Sequence, residues 1–202
     1  MTAAPRTRVV VTGLGVVTPA GLDVASTHAA VLTGRSAARP ISTWPTDGHE
    51  VTFAASIADF DPSALVDERA ARRLDRVAVL GVAAADEAVR QAGLEVAGGA
   101  GAVDPTRVAV VIGSGVGGIL SLEDQIETRV VRGPRRVSPL LIPMMMANAT
   151  AGLVSLRHGF RGAAMSVSTA CASGANSIGI GLDLIRAGRA DVVVAGGAES
   201  SI

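Results

Sequence analysis

Ser168-Thr169-Ala170-Cys171-Ala172-Ser173-Gly174 joins a short apolar run, Ala164 to Ser168, to a longer helical one, Ala172 to Ala187. The first run predicts a strand, and the second predicts a helix ended by Gly188. The chain therefore passes from strand to helix at its single cysteine. At a helix N-terminus, unpaired N–H groups and the helix dipole favour a thiolate. The neighbours Ala170, Ala172, Ser173 and Gly174 are small and leave clearance around the thiol. Two local readings stand side by side: a structural thiol in a packed core, or a nucleophile.

The same alternation extends outward in both directions. Downstream, Asp191 to Ala195 reads as a strand closed by Gly196-Gly197-Ala198-Glu199. Upstream, residues 138–158 read as mainly helical, interrupted by Pro143. Gly133-Pro134-Arg135-Arg136 reads as a loop, and Leu120 to Val131 as a helix. Arg107 to Ile112 is a continuous apolar run, hence a buried strand, and Ala97 to Val103 before it is a glycine-rich loop. Arg69 to Ala92 predicts one long helix, with Leu74, Val77, Leu80, Val82 and Val89 at helical spacing and Gly93 as its stop. Further up come a short helix over Pro62 to Val66, a weak strand over Val51 to Ile57 and a surface loop over residues 35–50. A helix over Leu22 to Thr33 ends at Gly34, and the β-branched run Arg8 to Thr12 predicts a buried strand entering a tight turn at Gly13-Leu14-Gly15. Apolar strands alternating with helices give an α/β class with a mostly parallel sheet covered on both faces.

Composition narrows the function. The chain has 202 residues, enough for one sizeable core or two small ones. Eighteen cationic side chains balance eighteen anionic ones, which points to neither nucleic acid nor an acidic substrate as a global partner. Every cation is arginine, so no lysine can serve as a Schiff base or general base. The mean hydropathy of +0.43 is high for a soluble domain, and part of the apolar surface is expected to face a partner. One cysteine excludes an internal disulfide framework and a multi-cysteine metal site, so a cytoplasmic setting and no metal are expected. Met1 to Arg8 is short and polar, unlike a signal peptide, and no apolar run is long enough to span a membrane.

Other motifs are ambiguous by themselves. Gly13-Leu14-Gly15 and Gly113-Ser114-Gly115-Val116-Gly117-Gly118 follow strands, but neither fits a dinucleotide fingerprint, and close backbone packing against a neighbouring loop is preferred. His28, His49 and His158 stand in no recognisable catalytic context and read as solvated or packing side chains. Arg69, Arg72, Arg73 and Arg76 share one face of the expected long helix, and Arg135 and Arg136 sit on a loop. Such a patch is either a solvated face paired with Asp67, Glu68 and Asp75, or a docking site for an acidic partner.

Taken in order, these motifs resemble the β-ketoacyl-acyl-carrier-protein synthases, of the elongating synthase II type and its polyketide relatives. The resemblance rests on Val11-Thr12-Gly13-Leu14-Gly15-Val16-Val17-Thr18-Pro19, the glycine run 113–118, Gly133 to Pro139, the cysteine heptapeptide and Ala190 to Glu199. It implies a thiolase-like fold, in which two α/β halves pack as αβαβα layers. Residues 1–202 are expected to be the N-terminal half, as one ketosynthase domain with the C-terminal half absent. It implies a Claisen condensation between an acyl-cysteine and malonyl-acyl carrier protein, in fatty acid or polyketide synthesis. Cys171 takes the place of the nucleophile, its own N–H contributing to the oxyanion hole. Val116 and Leu141 match positions that line or gate the acyl pocket, and Arg69, Arg72, Arg73, Arg135 and Arg136 match positions facing the acidic carrier protein. No cofactor is implied beyond the carrier's phosphopantetheine, and a homodimer or pairing with the missing half is expected. Met144-Met145-Met146 departs from the smaller or polar residues of relatives, and thioethers adapt to irregular shapes. The family's two histidines, its lysine and its second oxyanion loop lie beyond the matched stretch, and the histidines present do not match them. The rival expectation is a non-catalytic module that docks carrier protein or a separately encoded second half.

Overall fold

The structure, a computed structural model, describes residues 7–57, 59–94 and 102–202. Most of the glycine-rich stretch Ala97 to Val103 lies outside the described residues, as do residues 1–6 of the polar start. The elements run α1 (Val24–Leu32), β1 (Arg39–Pro40), β2 (Phe53–Ala54), α2 (Glu68–Ala71), α3 (Arg76–Gln91), β3 (Val108–Gly113), α4 (Ile119–Arg132), α5 (Leu141–Met145), α6 (Ala149–His158), β4 (Ala164–Met165), α7 (Ser173–Arg186) and β5 (Val192–Gly197).

The centre is a parallel three-stranded sheet in the order β4-β3-β5. β3 pairs with β5 from Val108↔Val192 to Gly113↔Gly197, and with β4 at Val110↔Ala164 and Val111↔Met165. Every residue of β3 is buried, as its unbroken apolar run requires of a strand covered on both faces. On one face Val108, Val110 and Ile112 pack with Val82, Ala85 and Val89 of α3, Ala151 and Val154 of α6, and Phe160. On the other, Ala109 and Val111 meet Leu184 of α7 and Ala190. Burying each such valine contributes about 1.5–3 kcal/mol, so these layers hold the ends of β3 and β5 in place for the site.

Several expectations are corrected. Arg8 to Thr12 is extended but pairs with no strand among the described residues, and Val10 and Val11 are 64% and 76% exposed. No turn forms at Gly13-Leu14-Gly15; the segment lies along α3 instead. Side chains of α3 hold it: the Leu14 N–H donates to Gln91 Oε1, and Glu87 accepts from the N–H groups of Val16 and Val24 at 3.0 Å each. A Cβ on Gly15 would stand 1.9 Å from the Ala84 carbonyl oxygen, so glycine permits this contact, with a helix rather than a loop.

The long helix expected over Arg69 to Ala92 breaks after Ala71 and restarts at Arg76, because Asp75 caps the second piece through the Val77 N–H. The supposed surface loop 35–50 contains β1, antiparallel to β2, and the strand over Val51 to Ile57 shrinks to Phe53–Ala54. Pro143 does not interrupt its helix. It occupies the first turn of α5, where its missing N–H leaves no bond unmade, and the break falls at residues 146–148.

Candidate active site

Cys171 is exposed, and it sits at the C-terminal edge of the sheet where the chain folds back into α7. β4 leads into the turn. Val167 still accepts the Ser114 N–H at 3.2 Å, and the Ser168 hydroxyl donates to the Gly115 carbonyl at 3.2 Å. Ala170 then takes φ 51°, the one non-glycine residue with positive φ among the described residues. An alanine there costs about 1 kcal/mol or more, and such strain persists only where surrounding bonds over-determine it. Those bonds come from Ser173, which is 4% exposed. Its hydroxyl donates to the Ala170 carbonyl at 2.6 Å and accepts the Thr169 N–H at 2.9 Å, while Asn176 Nδ2 donates to Thr169 Oγ1 at 2.8 Å. A strained strand-to-helix elbow of this type presents its apical side chain to a substrate.

The small residues around Cys171 divide into two uses. Gly174 serves packing: a Cβ there would meet the Gly197 nitrogen at 3.3 Å, and one on Gly113 would meet the Ser173 carbonyl oxygen at 2.7 Å. The first turn of α7 therefore lies backbone to backbone on the ends of β3 and β5. Ala170 and Ala172 are exposed and leave the thiol accessible.

The glycine run 113–118 forms the wall beside the elbow. A Cβ on Gly115 would lie 3.6 Å from Ala170 Cα, so the two loops abut. Val116, next along, is 54% exposed. Leu141 is half-buried at the start of α5, whose last turn supports the loop from behind: the Gly118 N–H donates to the Met145 carbonyl at 3.1 Å. Two residues that sequence reasoning did not select hold this wall. Glu199, just past β5, accepts from Ser114 Oγ and from the Gly115 N–H. Asp75, 2% exposed, accepts the Val77 N–H at 3.0 Å and the Ser121 N–H at 2.8 Å, capping α3 and α4 together. An aspartate directly before the apolar run of α3 is a cap signal; nothing local marks Glu199.

The histidines do not join the site. His158 Nε2 lies 2.8 Å from Asp86 Oδ1, its ring stacks on Phe160, and Phe160 packs at the Val108 side of the core. β3 separates that end from Cys171 by roughly 15 Å of strand. His49 packs edge-on against Trp44.

The arginines do not share a helical face as expected. Arg69 is on α2, Arg72 and Arg73 are in the following turn, and Arg76 opens α3 and donates to the Ile57 carbonyl. Asp75 is committed to helix caps, and Asp67 accepts the Ala70 N–H. Arg135 and Arg136 are exposed in the tight turn Pro134–Arg136. Two hollows run along α4. One, of about 740 Å³, includes Asp124, Gln125, Arg132 and Arg136; the other, of about 260 Å³, includes Leu74, Arg76, Asp124 and Gln125. The shared residues Asp124 and Gln125 place Arg76 and Arg136 along the same stretch of α4.

The sequence model of the "Beta-ketoacyl synthase, N-terminal domain" family matches residues 6–202. A 3-oxoacyl-[acyl-carrier-protein] synthase 2 from Vibrio cholerae is 37% identical over 194 residues, covering 96% of this chain and 46% of the relative. One from Synechocystis sp. is 35% identical over 195 residues, with the same coverage. Among solved structures, the ishigamide ketosynthase/chain length factor superposes with a TM-score of 0.87 at 31% identity, over 98% of this chain and 48% of that one. A chain from the solved complex of a type II polyketide acyl-carrier protein with its ketosynthase superposes with a TM-score of 0.77 at 29% identity, over 96% of this chain and 51% of that one. The chain spans about half the length of the curated relatives it matches.

Proposed function

The chain belongs to the β-ketoacyl synthases, as their N-terminal domain, and on that premise we propose that Cys171 accepts the acyl group of a condensing acyltransferase in fatty acid or polyketide synthesis. The observation that carries this is the exposed thiol at the Ala170 elbow, held by Ser173 and walled by the glycine run. The Cys171 thiol loses its proton and attacks the carbonyl carbon of an acyl thioester. A new C–S bond forms, the old C–S bond to the carrier breaks, and the carrier's phosphopantetheine leaves as a thiolate that takes up the proton Cys171 lost. The N–H of Cys171 itself is assigned as a donor to the oxyanion of that step. Val116 and Leu141 border the acyl chain. The substrates arrive as thioesters, and the reaction calls on no further cofactor.

Acyl carrier protein is the proposed partner. Arg69, Arg72, Arg73, Arg135 and Arg136, all exposed, support it, since exposed guanidiniums steer and bind acidic surfaces. Exposed Ile119, Ile126 and Val130 on α4, Ile142 on α5 and Met146 just after it fit pairing with a second copy or with the other half of the fold. Among the described residues, no helix is long and apolar enough to cross a membrane, and we place the domain in the cytoplasm.

Malonyl decarboxylation and condensation are assigned to groups of the C-terminal half that the longer relatives possess. A second reading, a non-catalytic half that docks carrier protein, is favoured by the position of His158 at the far end of β3. The test incubates the chain with acyl- and malonyl-carrier protein. Acylated Cys171 with at most traces of ketoacyl product is expected. No acyl adduct would favour the docking reading, and abundant product from the chain alone would overturn the division of labour.

A further inference from the structure

We propose that Glu199 is a positioning residue, whose carboxylate clamps the glycine run 113–118 against the cysteine elbow and thereby sets the acyl groove beside Cys171. The inference rests on the reading of Cys171 as acyl acceptor and Val116 as a groove residue.

Both carboxylate oxygens are engaged by the loop. Ser114 Oγ donates to Oε1 at 3.1 Å, and the Gly115 N–H donates to Oε2 at 2.7 Å. Ser114 is 3% exposed, and its oxygen also accepts the Gly117 N–H at 2.8 Å, so one hydroxyl spans both limbs of the loop. On the far side, the Gly115 carbonyl accepts from Ser168, which stands in the elbow itself. An unbroken chain of hydrogen bonds therefore runs from the end of β5 through Glu199, Ser114 and Gly115 to the cysteine turn. The approach is close, because a Cβ on Gly115 would lie 2.9 Å from Glu199 Oε2 and would push the carboxylate off its bond. A carboxylate that only needed solvation would not close a ring of this kind. Charge-assisted bonds to backbone N–H are the stronger, shorter class, and they fix the backbone that carries Val116.

The test uses the whole chain as wild type and as E199A, E199Q and S114A, with melting curves showing that each is folded. Cys171 acylation by short- and long-chain acyl-pantetheine thioesters is followed by mass spectrometry. E199A is expected to slow acylation about tenfold or more, since small misplacements at a reacting group cost rate steeply, and to flatten the short-to-long preference. E199Q is expected to restore most of both, because its amide oxygen accepts the Gly115 N–H and its NH₂ donates to Ser114 Oγ. S114A is expected to resemble E199A, and the double variant to add little, as members of one network do. A folded E199A with wild-type rate and chain-length ratio overturns the proposal. If wild type itself is not acylated, the reading of Cys171 is at fault instead. Iodoacetamide alkylation of Cys171 then decides for the clamp, with a severalfold change in E199A that E199Q reverses; equal alkylation rates in all variants overturn it.

Discussion

Asp75→Ala removes the carboxylate that caps two helices at once. In the native chain it accepts the Val77 N–H at 3.0 Å and the Ser121 N–H at 2.8 Å, and only 2% of the residue is exposed. A hydrogen bond to a charged group contributes about 1.5–3 kcal/mol, and losing an N-cap alone costs about 0.5–2 kcal/mol. Desolvation of the carboxylate offsets part of this, so the net loss is expected near 3 kcal/mol. At about 2–4 °C per kcal/mol for a domain of this size, the Tm is expected to fall by roughly 6–12 °C. Asp75→Asn keeps one acceptor and turns an amide donor toward the other N–H, so about half that fall is expected. Differential scanning calorimetry of the three proteins at neutral pH checks both the size and the order. A Tm within about 2 °C of wild type for Asp75→Ala would refute the double cap as a structural hinge between the arginine turn and the glycine run.

Gly15→Ala forces a Cβ to within 1.9 Å of the Ala84 carbonyl. The segment 8–17 is expected to lift from α3, costing about 1–3 kcal/mol in urea unfolding; an unchanged midpoint would count against the glycine contact. Charge reversal at Arg72 and Arg73 together is expected to weaken acyl-carrier-protein binding about tenfold and to flatten its salt dependence, read by isothermal titration at two ionic strengths. On the acid side, the bond from Arg107 holds the Asp191 carboxyl below its ordinary value of 3.8, and bonds from Thr106 and Ser26 do the same for Asp104 and Asp23. These groups bind protons less readily folded than unfolded. Their stabilisation is therefore present above pH 3.8 and lost as the pH falls through their lower folded values. Urea midpoints from neutral to acid pH are expected to stay level and then drop, and Asp191→Asn to shrink that drop.

The core strands were legible because they carry their signal locally. Val108 to Ile112 and Val192 to Ala195 are continuous apolar runs, and they became the central pair of a parallel sheet. Arg8 to Thr12 carries the same signal, yet it stands outside the ladder with Val10 and Val11 exposed. Hydrophobicity says that a segment wants cover, and not which neighbour supplies it. The break in the helix at 72–75 was legible in principle, since Asp75 heads the apolar run as a cap, but the apolar spacing through Leu74 masked it. The elbow at Cys171 was readable from its strand-to-helix setting. What held it was not: Ser173 reaching back to Ala170, and Glu199 reaching across from β5, are long-range or reverse contacts without a fixed spacing. Arg76 and Arg136, far apart in sequence, line hollows on the same stretch of α4 only because the turns beside them pack on that helix.

The most direct measurement of the central claim is tandem mass spectrometry of the chain after exposure to acyl-carrier protein, run beside Cys171→Ser. One acyl group per chain, mapped to the peptide carrying Cys171, labile to hydroxylamine as a thioester is, and lost in the serine variant, is the expected result. An unmodified Cys171, or acylation that persists at another residue in the variant, would contradict it.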